Sequence, residues 1–213
     1  MTTLLLIRHG ESRANRSGLF AGHFNAELED NGVMQAKLTA KYIAENYKVD
    51  KIYSSDLKRA HKTAACLSEL LDIEIIPNKN LREINAGKWE GVKYSELTTI
   101  YPKEYDIWLN DIGNAGCVGG ETVKQLGERI ISTLTQIAEE NNGKTIAVAT
   151  HATPIRAFQT LVEYGTLEKM KDIPWVSNSS ITVVQYSNGE WILVDISKDD
   201  HLGEIKTLLP SNV

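Results

Sequence analysis

Short apolar runs alternate along this chain with amphipathic stretches of helical period. Thr3 to Ile7, Lys51 to Tyr53, Ile73 to Ile76, Thr145 to Ala149 and Ile181 to Tyr186 read as buried or half-buried strands. Trp191 to Ile196 reads as a sixth. Ser187-Asn188-Gly189 joins it to the fifth, and the Asn-Gly pair tolerates the positive φ of a tight hairpin turn.

The intervening segments carry apolar stripes three or four residues apart. Val33, Ala36, Ala40, Ile43 and Tyr47 make one stripe, and Leu57, Ala60, Ala64, Leu67 and Leu71 another. A third helix is predicted from Thr122 to Asn141, burying Val123, Leu126, Ile130, Leu134 and Ile137. Thr122 and Gln125 have capping-box spacing at its start, and Asn142-Gly143 ends it. A fourth is predicted to start at Pro154, where a missing N–H costs nothing, with Ile155, Phe158 and Leu161 inward. The segment from Gly87 to Gly120 fits neither period. It holds Trp89, Tyr94, Tyr101, Tyr105 and Trp108, and reads as a lid-like helical excursion. Strands alternating with helices predict an α/β fold: a single three-layer α/β/α sandwich over residues 1–213. Its central sheet is expected to be mostly parallel, with an antiparallel C-terminal hairpin.

Composition narrows the functional classes. A chain of 213 residues with 42% hydrophobic and 24% charged positions is long enough for its own core. The formal net charge of −5, from 23 basic and 28 acidic residues, argues against an extended nucleic-acid footprint, while a local basic pocket stays open. Leu4-Leu5-Leu6-Ile7 is too short for a signal segment or a membrane span, so no membrane partner is expected. Cys66 and Cys117 form no metal spacing and no disulfide framework, which suits a reducing cytoplasm; Cys66 is expected in the core. The terminal hairpin offers an edge strand to a second copy, so a homodimer is an open expectation.

In an open α/β sheet, ligands bind beyond the carboxyl ends of the strands. The first strand exits into Arg8-His9-Gly10-Glu11-Ser12, the second into Ser54-Ser55-Asp56-Leu57-Lys58-Arg59, and the fourth into Thr150-His151-Ala152. The third leads to Leu81-Arg82-Glu83. Two histidines, two arginines and a glutamate are thus expected on one rim, an inventory suited to an anion held by fixed positive groups. With Ser55 as N-cap, Arg59 falls in the first turn of its helix, where a cation faces the positive dipole end. Either an anion sits between the two, or Arg59 points into solvent.

Leu6-Ile7-Arg8-His9-Gly10-Glu11-Ser12, followed by Asn15, resembles the signature of the histidine phosphatase superfamily, the phosphoglycerate mutase-like proteins. Tyr53 to Ala60, Leu81 to Ile84 with Gly87 to Gly91, and Val148 to His151 resemble its further motifs, in order, across residues 3–202. Gly119 to Thr122 and Ser177 to Ile181 also fit. The resemblance implies a phosphoglycerate mutase-like fold and a phosphohistidine on His9. Arg8, Arg59 and His151 would hold the non-bridging oxygens, with Asn15 as a neutral donor. Glu83 would protonate the leaving oxygen and later deprotonate water. Guanidinium forks supply the charge, so neither metal nor cofactor is expected. Gly22, in the Phe20-Ala21-Gly22-His23 stretch, and Ala152, where the family commonly has glycine, are expected at the phosphate, and His23 is expected either at the substrate entrance or in a structural role.

The reading is a phosphomonoester hydrolase acting on a small phosphorylated metabolite. The alternatives are a cofactor-dependent phosphoglycerate mutase and a phospho-ligand binding protein without turnover. The family's mutases carry a long insertion with an arginine pair after the acidic motif. Glu90 to Gly120 has one proline, Pro102, and no arginine, although Lys88, Lys93 and Lys103 could partly substitute. The aromatics of this segment either give the pocket a stacking character, suited to sugar, nucleotide-like or aromatic phosphates, or pack the core.

Overall fold

In the computed structural model, which describes residues 1–207, strand β1 (Thr2–Arg8) is followed by α1 (Arg13–Arg16) and α2 (Asp30–Asn46). Then come β2 (Lys51–Ser54), α3 (Lys58–Leu71) and β3 (Ile75–Pro77). Helices α4 (Tyr94–Ile100), α5 (Pro102–Asn110) and α6 (Val123–Glu140) lead to β4 (Thr145–Thr150) and α7 (Ala152–Tyr164), and the hairpin of β5 (Ile181–Ser187) and β6 (Glu190–Lys198) follows. The sheet order is β3-β2-β4-β1-β5-β6. Its first three pairings are parallel, and β5 is antiparallel to both β1 and β6.

The two-residue strand period sorts the core into layers. Leu5, Ile7, Ala147 and Ala149 face one way and pack with Ala40 and Ile43 of α2 and Ala64 and Leu67 of α3. Leu4, Leu6, Ile146 and Val148 face the other way, against Ile130, Leu134 and Ile137 of α6 and Ile155 and Phe158 of α7. Both faces of β1 and β4 are covered, which is why their sequences are apolar runs rather than alternations. Asn188 and Gly189 both take positive φ in the hairpin turn.

Some boundaries differ from the sequence reading. The Thr122–Gln125 capping box forms at α6 as expected. Helix α3, however, is preceded by Leu57 without a side-chain cap. Helix α7 starts at Ala152, two residues before Pro154, because proline at the third position still replaces an N–H with no intrahelical acceptor. The third strand is shifted to Ile75–Pro77, since Asp72 turns the chain in a left-handed conformation after α3. Cys66 is half-buried rather than in the core.

Residues 87–120 leave the sheet as α4, α5 and single 3-10 turns, and build a core of their own with Phe20, Val123 and Leu126. Trp89 is completely buried there, its ring 5.3 Å from Phe20 and 5.7 Å from Tyr105. Trp89 and Tyr105 are therefore packing residues, whereas Tyr94 and Trp108 reach the pocket described next.

Candidate active site

Strands β1 and β4 are parallel neighbours with Arg8 opposite Thr150, so His9 and His151 leave the sheet at the same level. From there the chain runs to α2 on one face and to α7 on the other, which opens a crevice between the two strand ends. The two imidazoles meet edge to face, with centroids 5.1 Å apart.

His9 is 4% exposed. Its Nδ1 lies 2.7 Å from the Gly10 carbonyl, and Arg59 Nε donates to its Nε2 at 3.2 Å. A guanidinium only donates, so Nε2 must accept and the imidazole proton sits on Nδ1, held by the carbonyl. Burial, reinforced by the Arg59 and Arg8 charges, holds this imidazole well below the usual histidine range. The His9 side chain therefore presents an unprotonated nitrogen beside two cations.

Arg59, in the first turn of α3, is fully buried and does not point into solvent. Besides His9, it donates Nη1 to the Phe24 carbonyl at 2.9 Å and Nη2 to the Gly22 carbonyl at 2.8 Å. Gly22 can present that carbonyl because it sits at φ +48°, with the Ala86 Cβ only 2.5 Å from where a side chain would begin. Arg8 donates Nη1 to the Val176 carbonyl, while its buried Nε has no protein acceptor. Burial draws both guanidinium groups down to about 10.

Glu83 faces the same pocket, with Oε1 accepting from the Ile84 N–H at 2.8 Å and Oε2 from the Thr153 N–H at 3.4 Å. Its backbone carbonyl accepts from Arg129 Nη2 at 3.3 Å and lies 2.9 Å from His23 Nε2. His23 thus braces the acidic loop instead of standing free at an entrance. The Asn15 Oδ1 is taken by Ser12 N–H at 3.0 Å and Ser12 Oγ at 2.9 Å, leaving its amide NH2 without a protein partner in the pocket wall. Ala152 also lines the pocket; it opens α7 and is not among the positive-φ residues, so only its methyl is added there.

His151 is fully buried and stands behind the wall rather than on it. Its Nε2 lies 2.8 Å from Ser55 Oγ and its Nδ1 has no partner. Ser55, expected to cap α3, orients this imidazole instead, and the Arg59 and His9 neighbours add to burial in holding it well below the usual range. His61 is exposed, and His201 lies 2.9 Å from Thr39 Oγ1, away from the pocket lining.

Sequence reasoning missed three contributors. Asn178 Nδ2 holds the His9 carbonyl at 3.0 Å; it falls in a block already flagged by resemblance but without a role. Thr153 and Trp175 line the pocket, and nothing local to their sequences signals it. Among the described residues, no three His, Cys, Asp or Glu side chains converge as a metal-binding group, and no helix is long and apolar enough to cross a membrane.

The histidine phosphatase superfamily (branch 1) matches residues 4–199. The chain is 29% identical over 204 residues to phosphoserine phosphatase 1 of Hydrogenobacter thermophilus, covering 96% of each. It is 30% identical to a metal-independent phosphoserine phosphatase of Arabidopsis thaliana, covering 96% of this chain and 85% of that one. Bacillus stearothermophilus YhfR superposes with a TM-score of 0.90 at 24% identity, over 95% of this chain and all of that one, a likeness of fold. A mutant phosphoserine phosphatase from Entamoeba histolytica in complex with phosphoserine superposes with a TM-score of 0.83 at 29% identity, over 95% and 100% of the two chains. The chain belongs to the histidine phosphatase superfamily, branch 1.

Proposed function

We propose that the protein hydrolyses phosphomonoesters through a phosphohistidine on His9, without a metal. The observation that carries this reading is the imidazole locked with its proton on Nδ1, its free Nε2 beside Arg59 in a pocket shared with Arg8 and Glu83. Nε2 attacks phosphorus while the ester P–O bond breaks, and the leaving oxygen takes the proton of the Glu83 carboxyl. Arg59 Nε–H then turns from Nε2 to a phosphoryl oxygen. In the second half, Glu83 takes a proton from the attacking water, the P–Nε2 bond breaks, and its electron pair returns to the imidazole. The products are an alcohol and phosphate.

Positive groups in the water-poor base of the pocket stabilise the charge spread over the phosphoryl oxygens. Arg8 Nε–H and the Asn15 amide are donors without protein partners in the pocket, and the α7 N-terminus adds its dipole, with the buried His151 imidazole behind them. Relatives named as phosphoserine phosphatases, one of them metal-independent, support hydrolysis over isomerisation. The pocket also counts against a mutase, which needs cations for a second anionic end. Lys88, Lys93 and Lys103 are exposed and do not line it.

The test is a phosphomonoester panel with wild type and His9→Ala, alongside isomerisation of 3-phosphoglycerate with 2,3-bisphosphoglycerate. Hydrolysis lost in His9→Ala is expected. Isomerisation faster than hydrolysis, or activity that survives in His9→Ala and dies with a chelator, would overturn the reading.

A further inference from the structure

We infer that the leaving-group half of the pocket selects an uncharged alcohol with an apolar or ring-bearing body and disfavours one carrying a carboxylate, with Trp175 as the specificity-determining residue. This rests on the hydrolytic reading above. Apart from Arg8 and Arg59, the lining among the described residues holds no arginine or lysine. Both of these are committed at the base, Arg59 to His9 and Arg8 to the Val176 carbonyl. Four of the lining residues are aromatic: Phe20, Tyr94, Trp108 and Trp175. Its one further ionisable group among the described residues, Glu83, supplies no positive charge to meet a carboxylate. A carboxylate there would exchange water for aromatic faces, whose quadrupole is negative, and for no cation.

The wall is also fixed in advance. Phe20 lies 5.0 Å from Trp108 and 5.6 Å from Tyr94, each edge to face. Tyr94, part of the lining, stays neutral, since burial pushes its hydroxyl up to about 12. Trp175 is gripped from behind by the Arg156 guanidinium, 4.4 Å from its ring centroid. Arg156 is itself 5% exposed and donates to the Ile173 and Met170 carbonyls, each at 2.6 Å. A half-buried indole held this way offers a flat surface at little ordering cost to a bound ring.

Phosphoserine, which appears in the names of several relatives, carries the disfavoured carboxylate. The test compares 2-phenylethyl phosphate with O-phosphoserine, both alkyl esters, in wild type, Trp175→Ala and Trp175→Phe. Binding of each to His9→Ala is measured by calorimetry, with His9→Asn substituted if the alanine variant does not fold. Wild type should favour the phenylethyl ester at least about tenfold in kcat/KM, and the binding data should show the same order. Trp175→Ala should raise its KM about tenfold with little change in kcat, the loss of one aromatic contact and its burial, and Trp175→Phe should restore most of it. Phosphoserine handled equally well or better, or both KM values rising alike in Trp175→Ala, would overturn the inference. If neither ester is hydrolysed but His9→Ala keeps the binding preference, the hydrolytic reading fails and the pocket assignment stands.

Discussion

Lowering the pH should destabilise this protein through the buried imidazoles of His9 and His151 well before any carboxylate protonates. His9 and His151 are 4% and 0% exposed, and burial holds both well below 6.5 in the folded chain. In the unfolded chain each binds a proton as pH falls through about 6.5, and the folded chain refuses it. Stability is therefore full above about pH 7.5 and falls by up to about 1.4 kcal/mol per pH unit for each imidazole, until the folded-state values are reached. Between pH 7.5 and 5.5 the pair should cost about 3 kcal/mol, or roughly 6–12 °C in Tm for a chain of this size. His201, also lowered by burial, adds to the slope with the same sign. Asp56 and Asp199 are depressed carboxylates, so their contributions are lost at lower pH, outside this window. Urea unfolding at a series of pH values checks the slope. Phosphate-free buffers are needed, because an anion bound only by the folded chain would mask it. His9→Asn should remove about half of the slope. A flat profile between pH 7.5 and 5.5, or imidazole NMR signals of His9 titrating near 6.5, would refute the reasoning.

Glu83→Gln should slow turnover of alkyl esters by about a hundredfold or more, and of aryl phosphates much less, because aryl leaving groups depart without a proton; equal losses in steady-state rates would remove the acid role. Gly22→Ala forces a side chain at φ +48° into Ala86 and displaces the carbonyl that holds Arg59. It should cost roughly 2 kcal/mol of stability and at least about tenfold in kcat, read by urea unfolding and kinetics. Gln35 is fully buried, its Oε1 accepting from the Glu11 N–H at 2.9 Å and its Nε2 donating to the Ile205 carbonyl at 2.8 Å. Gln35→Ala strands both groups and should destabilise by about 2–3 kcal/mol in the same unfolding assay.

The strands, the helix stripes and the rim residues were legible because each rests on local pattern. A period of two or 3.6 shows which face is buried, and the residue after a parallel strand stands at the ligand edge whatever follows it. Arg8, His9 and His151 were found in this way. The helix starts were harder. Ser55 and Pro154 look like caps in sequence, yet Ser55 turns to His151 and α7 begins at Ala152.

Sequence alone therefore determined the α/β layering and the charged groups that gather at the sheet edge, since these follow from periodicity and strand order, and the family, through the resemblance of its ordered motifs. Only the tertiary structure decided which nitrogen of His9 is free, that Asn178 holds the His9 backbone and Ser55 meets the His151 imidazole, and how the aromatics divide between core and pocket. Trp89 and Trp108 have the same apolar chemistry; one is sealed in the core and the other meets the ligand space. Hydrogen-bond partners 96 or 169 residues apart leave no local periodic trace. They exist only once burial has brought the strand ends together and removed the water that would otherwise compete for each polar atom.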